Sequence, residues 1–150
     1  MEVTGMKNLG VFDKTQQKTA HWIEGVAHYM GSTDMERSYH ILRSVLHAVR
    51  DRLPPDEAVH FGAQMPMLVR GFYYDGWHPA DKPESYRHKQ EFFDHIAEDV
   101  PGLDEAQRER AASAVFTVLN KELTGGEVKQ VRHCLPPELR ELWHRADVSD

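Results

Sequence analysis

Ten histidines stand in 150 residues, and they are the side chains whose type and spacing first suggest chemistry. Neutral imidazole is the commonest metal ligand in proteins and titrates near neutral pH. Three pairs lie seven residues apart: His21 with His28, His40 with His47, and His88 with His95. On a helix seven residues make two turns, about 10.5 Å of rise, too far for two nitrogens to hold one ion at about 2.1 Å each. Two of the pairs enclose a carboxylate at the same spacing, giving His21, Glu24, His28 and His88, Glu91, His95. Helical geometry puts each glutamate between its imidazoles on one face, so each set offers two ligands. These six are the candidate metal ligands; the competing reading is a row of exposed helix-face side chains.

Other constellations are weaker. Glu57 with His60, and Glu141 with His144, match the Glu-x-x-His element of di-iron bundles, but a bundle site also needs two further glutamates turned into the core. A haem needs one axial histidine, and nothing in the pattern singles one out. Cys134 follows His133, yet adjacent helical residues point apart, so a buried structural thiol is expected rather than a nucleophile. Gly125 and Gly126 lack the Lys and Ser or Thr of a phosphate loop. Phe72, Tyr73, Tyr74 and Trp77 could line a ligand pocket with Arg70, Asp75 and His78 as polar anchors; core packing with the phenols at the surface is the competing reading. Arg70 and Arg140 sit in apolar stretches and are expected first to pair with Glu or Asp, tying the short helices to their half, and second to bind anions. No catalytic residue is assigned, and no cofactor is expected.

The elements that must position these residues follow from composition and periodicity. Hydrophobic residues make up 40% of the chain and one cysteine is present, so a single domain held by packing, without disulfides, is expected. A net charge of -6 without a Lys/Arg cluster argues against nucleic acid or an anionic membrane as partner. No apolar run suits a signal peptide or a membrane span, which points to the cytoplasm. Protonation of the histidines on acidification would carry the charge towards neutrality, so association is expected to respond to pH.

Met1 to Asp13 shows little periodicity and reads as a mobile leader. Apolar residues at steps of three and four predict a helix from Thr15 to Met30, ended by Gly31. Thr33 and Glu36 suggest a capping box for a long helix that carries Leu42, Val45, Leu46 and Val49 as far as Pro54. A short helix from Pro55 and a buried one over Pro66 to Trp77 complete the first half. Gly76, Pro79 and Pro83 break the chain, and Glu84 and Ser85 are offered as caps for a helix starting near Tyr86. Asp104 and Thr124 are the expected caps of the next two helices, and a short last helix carries Leu139, Leu142 and Trp143.

The second half repeats the first. A shift of 70 carries Trp22, Ile23 and Val26 onto Phe92, Phe93 and Ile96, and Met65, Pro66 and Arg70 onto Leu135, Pro136 and Arg140, whereas the long helices align best at 73. The expected fold is therefore all-α, about eight helices in two tandem four-helix repeats (15–77 and 85–145, joined by 78–84) related by a pseudo-twofold and packed into one domain.

The order of motifs, Leu53-Pro-Pro, Gln64-Met-Pro-Met-Leu-Val-Arg-Gly, Tyr73-Tyr-Asp-Gly-Trp, His88-Lys-Gln-Glu-Phe and Leu135-Pro-Pro-Glu-Leu-Arg-Glu-Leu-Trp, resembles the bacterial domain of unknown function 2267 from about Thr15 to Trp143. The resemblance implies an all-helical, soluble bacterial protein, often encoded among stress-response genes, and supplies no catalytic residue. The expected function is a non-catalytic binding or protein-interaction module in stress physiology, with a protein partner or self-association. The alternative is a small-molecule or metal-binding protein, with its pocket between the halves near Phe72 to His78 and His88.

Overall fold

The structure, a computed structural model, describes residues 9–148, with side chains to 147. Among the described residues eight α-helices follow one another: α1 Gly10–Met30, α2 Met35–Arg52, α3 Pro55–Gly62, α4 Met67–Tyr74, α5 Lys89–Asp99, α6 Glu105–Glu122, α7 Gly125–His133 and α8 Pro137–Val148. A single 3-10 turn, Pro79–Asp81, lies in the connection between α4 and α5, and there is no strand among the described residues. The chain is all-α. No helix is long and apolar enough to cross a membrane among these residues.

Helix ends show where local chemistry decides. The first eight residues of the expected leader lie outside the described residues, and Gly10 to Asp13 form the opening turn of α1, where the Asp13 carboxylate faces the positive end of the helix dipole. Its far end turns at Gly31, with φ of 67°, a left-handed conformation that only glycine adopts without steric cost. The N–H groups of Gly31 and Ser32 then close on the carbonyls of His28 and Ala27. α2 is capped by Asp34 rather than Thr33, because the Asp34 carboxylate accepts from the Arg37 N–H at 3.0 Å. α6 has a full capping box: Asp104 accepts from the Gln107 N–H, and the Gln107 side chain accepts from the Asp104 N–H. Thr124 caps α7 as expected. α5 starts only at Lys89, with His88 as its N-cap, so Glu84 to Arg87 lie outside the helix.

α2 and α6 form the centre. α1 lies against both, α5 also touches both, α4 packs on α1, α2 and α3, and α8 packs on α6 and α7. One continuous core results, running from Trp22 to Ala146. In the second half it includes a ring stack of Phe92, Phe116 and Trp143, the last two with centroids 4.5 Å apart and planes at 8°.

The bounds of the two central helices match at a step of 70, not 73. Met35 to Glu105 and Arg52 to Glu122 are both steps of 70, as are the caps Asp34 to Asp104 and Leu53 to Leu123. Ile41, Leu42, Val45, Leu46 and Val49 are buried, and so are Ala111, Ala112, Val115, Phe116 and Leu119 at the same step. A slip of three residues is close to one helical turn, so it lays one apolar stripe almost onto the other, and side-chain identities alone cannot choose the register. The caps choose it.

Candidate functional site

The segment expected to line a pocket is occupied with its own packing. α4 is amphipathic rather than wholly buried: Val69 and Tyr73 are inside, while Met67 and Leu68 are 49% and 45% exposed. The Tyr73 hydroxyl donates to the Ala58 carbonyl at 2.7 Å, and burial pushes its pKa far above the ordinary phenol range. Tyr74 donates to the Val59 carbonyl at 3.2 Å. Arg70 donates to the carbonyls of Gly62 and Met65 at 3.2 and 3.1 Å, and Arg140 to that of Leu135 at 3.1 Å. The expected acidic partners are thus replaced by carbonyls of the turn that leads into each helix. Asp75 pairs with Arg43 on α2 at 2.6 Å. Trp77 rests against Tyr74, and its buried Nε1 has no hydrogen-bond partner among the described residues. His78 stands exposed before the 3-10 turn. Arg70, Tyr73 and Tyr74 therefore tie α4 to α3, and Asp75 ties it to α2.

The two histidine sets do not converge. His21 pairs with Glu122 of α6 at 2.7 Å, whereas His28 packs edge-on against Tyr29, and Glu24 is exposed. His88 lies before α5 and pairs with Glu138 at 2.9 Å, His95 pairs with Glu84 at 3.0 Å, and Glu91 is exposed. Among the described residues no three of His, Cys, Asp or Glu come together as a metal site would require. Glu57 accepts from Gln130 across α3 and α7, and Glu141 lies 4.0 Å from Arg145. Cys134 is partly buried, donates to the Gln130 carbonyl at 3.5 Å, and has its thiol pKa raised chiefly by burial, the opposite of what a nucleophile needs.

Two features did not emerge from the sequence. The first is a cleft of about 420 Å³ where α1 meets the turn after α3 and the end of α6. Trp22 and Met65, each 2% exposed, form its floor, and Gln17, Lys18, His21 and Glu122 stand around it. Glu122 is the last residue of α6, where the helix dipole disfavours an anion, so the cationic side of α1 compensates it. The cleft joins the two halves at His21, which the sequence had marked for another chemistry. Only the fold brings Glu122 beside it.

The second feature is an apolar edge. The Leu68 N–H donates to Thr15 Oγ1 at 3.1 Å, which fixes the start of α4 against the first turns of α1. Val11 precedes Thr15 by one turn and is 53% exposed, Leu9 is 47% exposed, and Met67 and Leu68 complete the group. Val59 on α3 is a further half-exposed apolar side chain.

A family model described as "Uncharacterized conserved protein (DUF2267)" matches residues 19–142, and the chain belongs to that family. No curated protein matches it.

Proposed function

We propose that this member of the DUF2267 family is a non-catalytic protein-interaction module, and that the apolar edge of α1 and α4 is its contact surface. The observations that carry this reading are the half-exposed Met67 and Leu68 at the start of α4, its backbone fixed against Thr15 in the early part of α1, where Leu9 and Val11 are also about half exposed. Scattered exposed apolar residues are ordinary, but a cluster bordered by polar side chains marks a surface that another protein covers. The polar groups of the α4 segment add support, since they are engaged in holding the fold together.

Sedimentation of the wild-type protein against a Met67→Glu, Leu68→Glu variant tests the reading. Leu68 binds Thr15 through its backbone, so the variant keeps that contact and an unchanged melting temperature is expected. The wild type should self-associate or hold its partner, and the variant should lose that ability; equal behaviour of the two would sink the proposal. The setting in bacterial stress physiology rests on the resemblance and the cytoplasmic one on the apolar pattern of the sequence, and survival of a deletion strain under heat and oxidant is the test of the former.

A second reading is favoured by the cleft at His21 and Glu122, which would accept a small ligand of mixed polarity between the halves. Native mass spectrometry of untagged protein separates the two: a retained small molecule that is lost in His21→Ala favours the cleft.

A further inference from the structure

A second concavity, about 330 Å³, lies between α7 and α8 and is built mainly of cations. Lys129, Arg132 and His133 share one face of α7 at helical steps of three and four, and Arg140, Glu141 and His144 repeat that spacing on α8. The two stripes face each other. In a chain of net charge -6, three permanent cations meet here with one lining carboxylate, Glu141, which itself lies 4.0 Å from Arg145.

The donors of this cleft are underused. Among the described residues Arg132 Nη1 is buried without a hydrogen bond, and the Asp147 carboxylate that pairs with it is 3.7 Å away. Arg140 is anchored through Nε to the Leu135 carbonyl, which leaves the outer nitrogens of the guanidinium without a hydrogen bond among the described residues. Lys129 is exposed beside it. A buried guanidinium nitrogen without an acceptor is costly, and a bound oxyanion would satisfy it.

Nor does the helix pair itself demand cations. Seventy residues earlier, on α3 and α4, the positions of Lys129, Arg132, His133, Glu141 and His144 hold Val59, Gly62, Ala63, Gly71 and Tyr74; only Arg70 keeps the charge of Arg140. The helix pair seventy residues earlier thus carries an almost uncharged set of side chains at these positions. The geometry points to an anion site between α7 and α8 for a small phosphate-bearing molecule. Arg132 and Arg140 supply donors for its oxygens, and Lys129 with the two imidazoles closes round its charge. Its volume suits a phosphate monoester of modest size, at the lower end of ligand sites of about 300–1,000 Å³.

The test is an NMR titration of the isotopically labelled full chain with inorganic phosphate, with chloride holding the ionic strength constant. Saturable shifts confined to 125–148 are expected, and a small phosphate monoester should shift the same signals. The exposed pair Lys129→Gln, His144→Gln should weaken phosphate binding by about tenfold or more, as the loss of a charge-assisted hydrogen bond implies. Arg140→Gln is the stronger variant, but it also removes the bond to Leu135, so the exposed pair carries the test if Arg140→Gln does not fold. Shifts no larger than those with chloride, shifts spread over cations elsewhere such as Lys14 and Arg87, unchanged affinity in the exposed pair, or tighter binding of citrate than of phosphate would each overturn the assignment.

Discussion

His47 shows how one side chain can carry a conditional contribution to stability. Its Nε2 donates to the Phe72 carbonyl at 2.6 Å, joining α2 to α4. Burial lowers its pKa below the ordinary value; the bond to Phe72 works the other way, and the guanidinium of Arg50 adds to the lowering. The unfolded chain therefore binds this proton more readily than the native one. The resulting stability is present above about pH 6.5, the unfolded value, and is lost as the pH falls through the folded value. His47→Gln keeps a donor for Phe72 and removes the titration. We expect the wild-type melting temperature to fall between about pH 7.5 and 5.5 relative to His47→Gln, a slope that thermal melts on both proteins across that range would reveal. Parallel slopes would show that His47 does not contribute. His88 bears the opposite sign, because its hydrogen bond to Glu138 raises its pKa, so its share is present at low pH and fades as pH rises through the folded value. The histidine spacing that suggested ligands thus belongs to side chains with separate partners. Arg50, 3% exposed, was not legible at all: it stands beside the apolar stripe of α2, and its role depends on the carbonyls of Tyr73 and Asp75, which only the fold brings within 2.6 and 3.0 Å.

At the scale of the element, a glycine in the middle of α1 sets how closely two helices approach. A Cβ on Gly25 would lie 2.9 Å from Val118 Cγ2 on α6. Intrinsic propensity favours alanine here by about 1 kcal/mol, whereas forcing a methyl into a packed contact costs about 1–3 kcal/mol. Val118 is β-branched and held in a restricted rotamer on its helix, so it yields poorly and the second effect should win. Gly25→Ala is expected to destabilise by roughly 1 kcal/mol in urea unfolding, and the loss should shrink in a Val118→Ala background. Stabilisation by Gly25→Ala would mean that the helices can part without cost. Existence, order and type of the helices were legible because amphipathic periodicity, Pro55, Pro66, Pro136 and Gly31 act locally. Register and ends were less so. Thr33 and Asp34 are both good caps, and only the direction of the chain decides that Asp34 meets the Arg37 N–H. The Glu122 side of the cleft was invisible for a different reason, since 101 positions separate it from His21 and no local pattern spans them.

The whole molecule joins its halves through their main helices. α1 packs on α6 as well as on α2, and α5 packs on α2 as well as on α6, so each half completes the core of the other. A half of about 70 residues buries little core on its own, which leaves it marginal in water. The common step of 70 in caps, ends and buried positions adds a further condition. α6 is the counterpart of α2, so the face of α1 that meets α6 would find a related surface on α2 of a second first half. We propose on this ground that the halves are related by a pseudo-twofold, and the prediction concerns what a half does alone. The chain can be divided after the exposed Asp81, and the fragment 1–81 studied by circular dichroism, sedimentation and amide NMR. It should be either largely unfolded or a homodimer with concentration-dependent stability, and addition of 82–150 should restore a cooperative transition by replacing the second copy. A folded monomer with dispersed amide signals would show that α1 to α4 form a sufficient core without α6, against both the shared core and the twofold relation. A dimer whose contacts pair α1 of one copy with α2 of the other would favour the twofold, because the isolated half would then reproduce with itself the interface that the full chain makes between its halves.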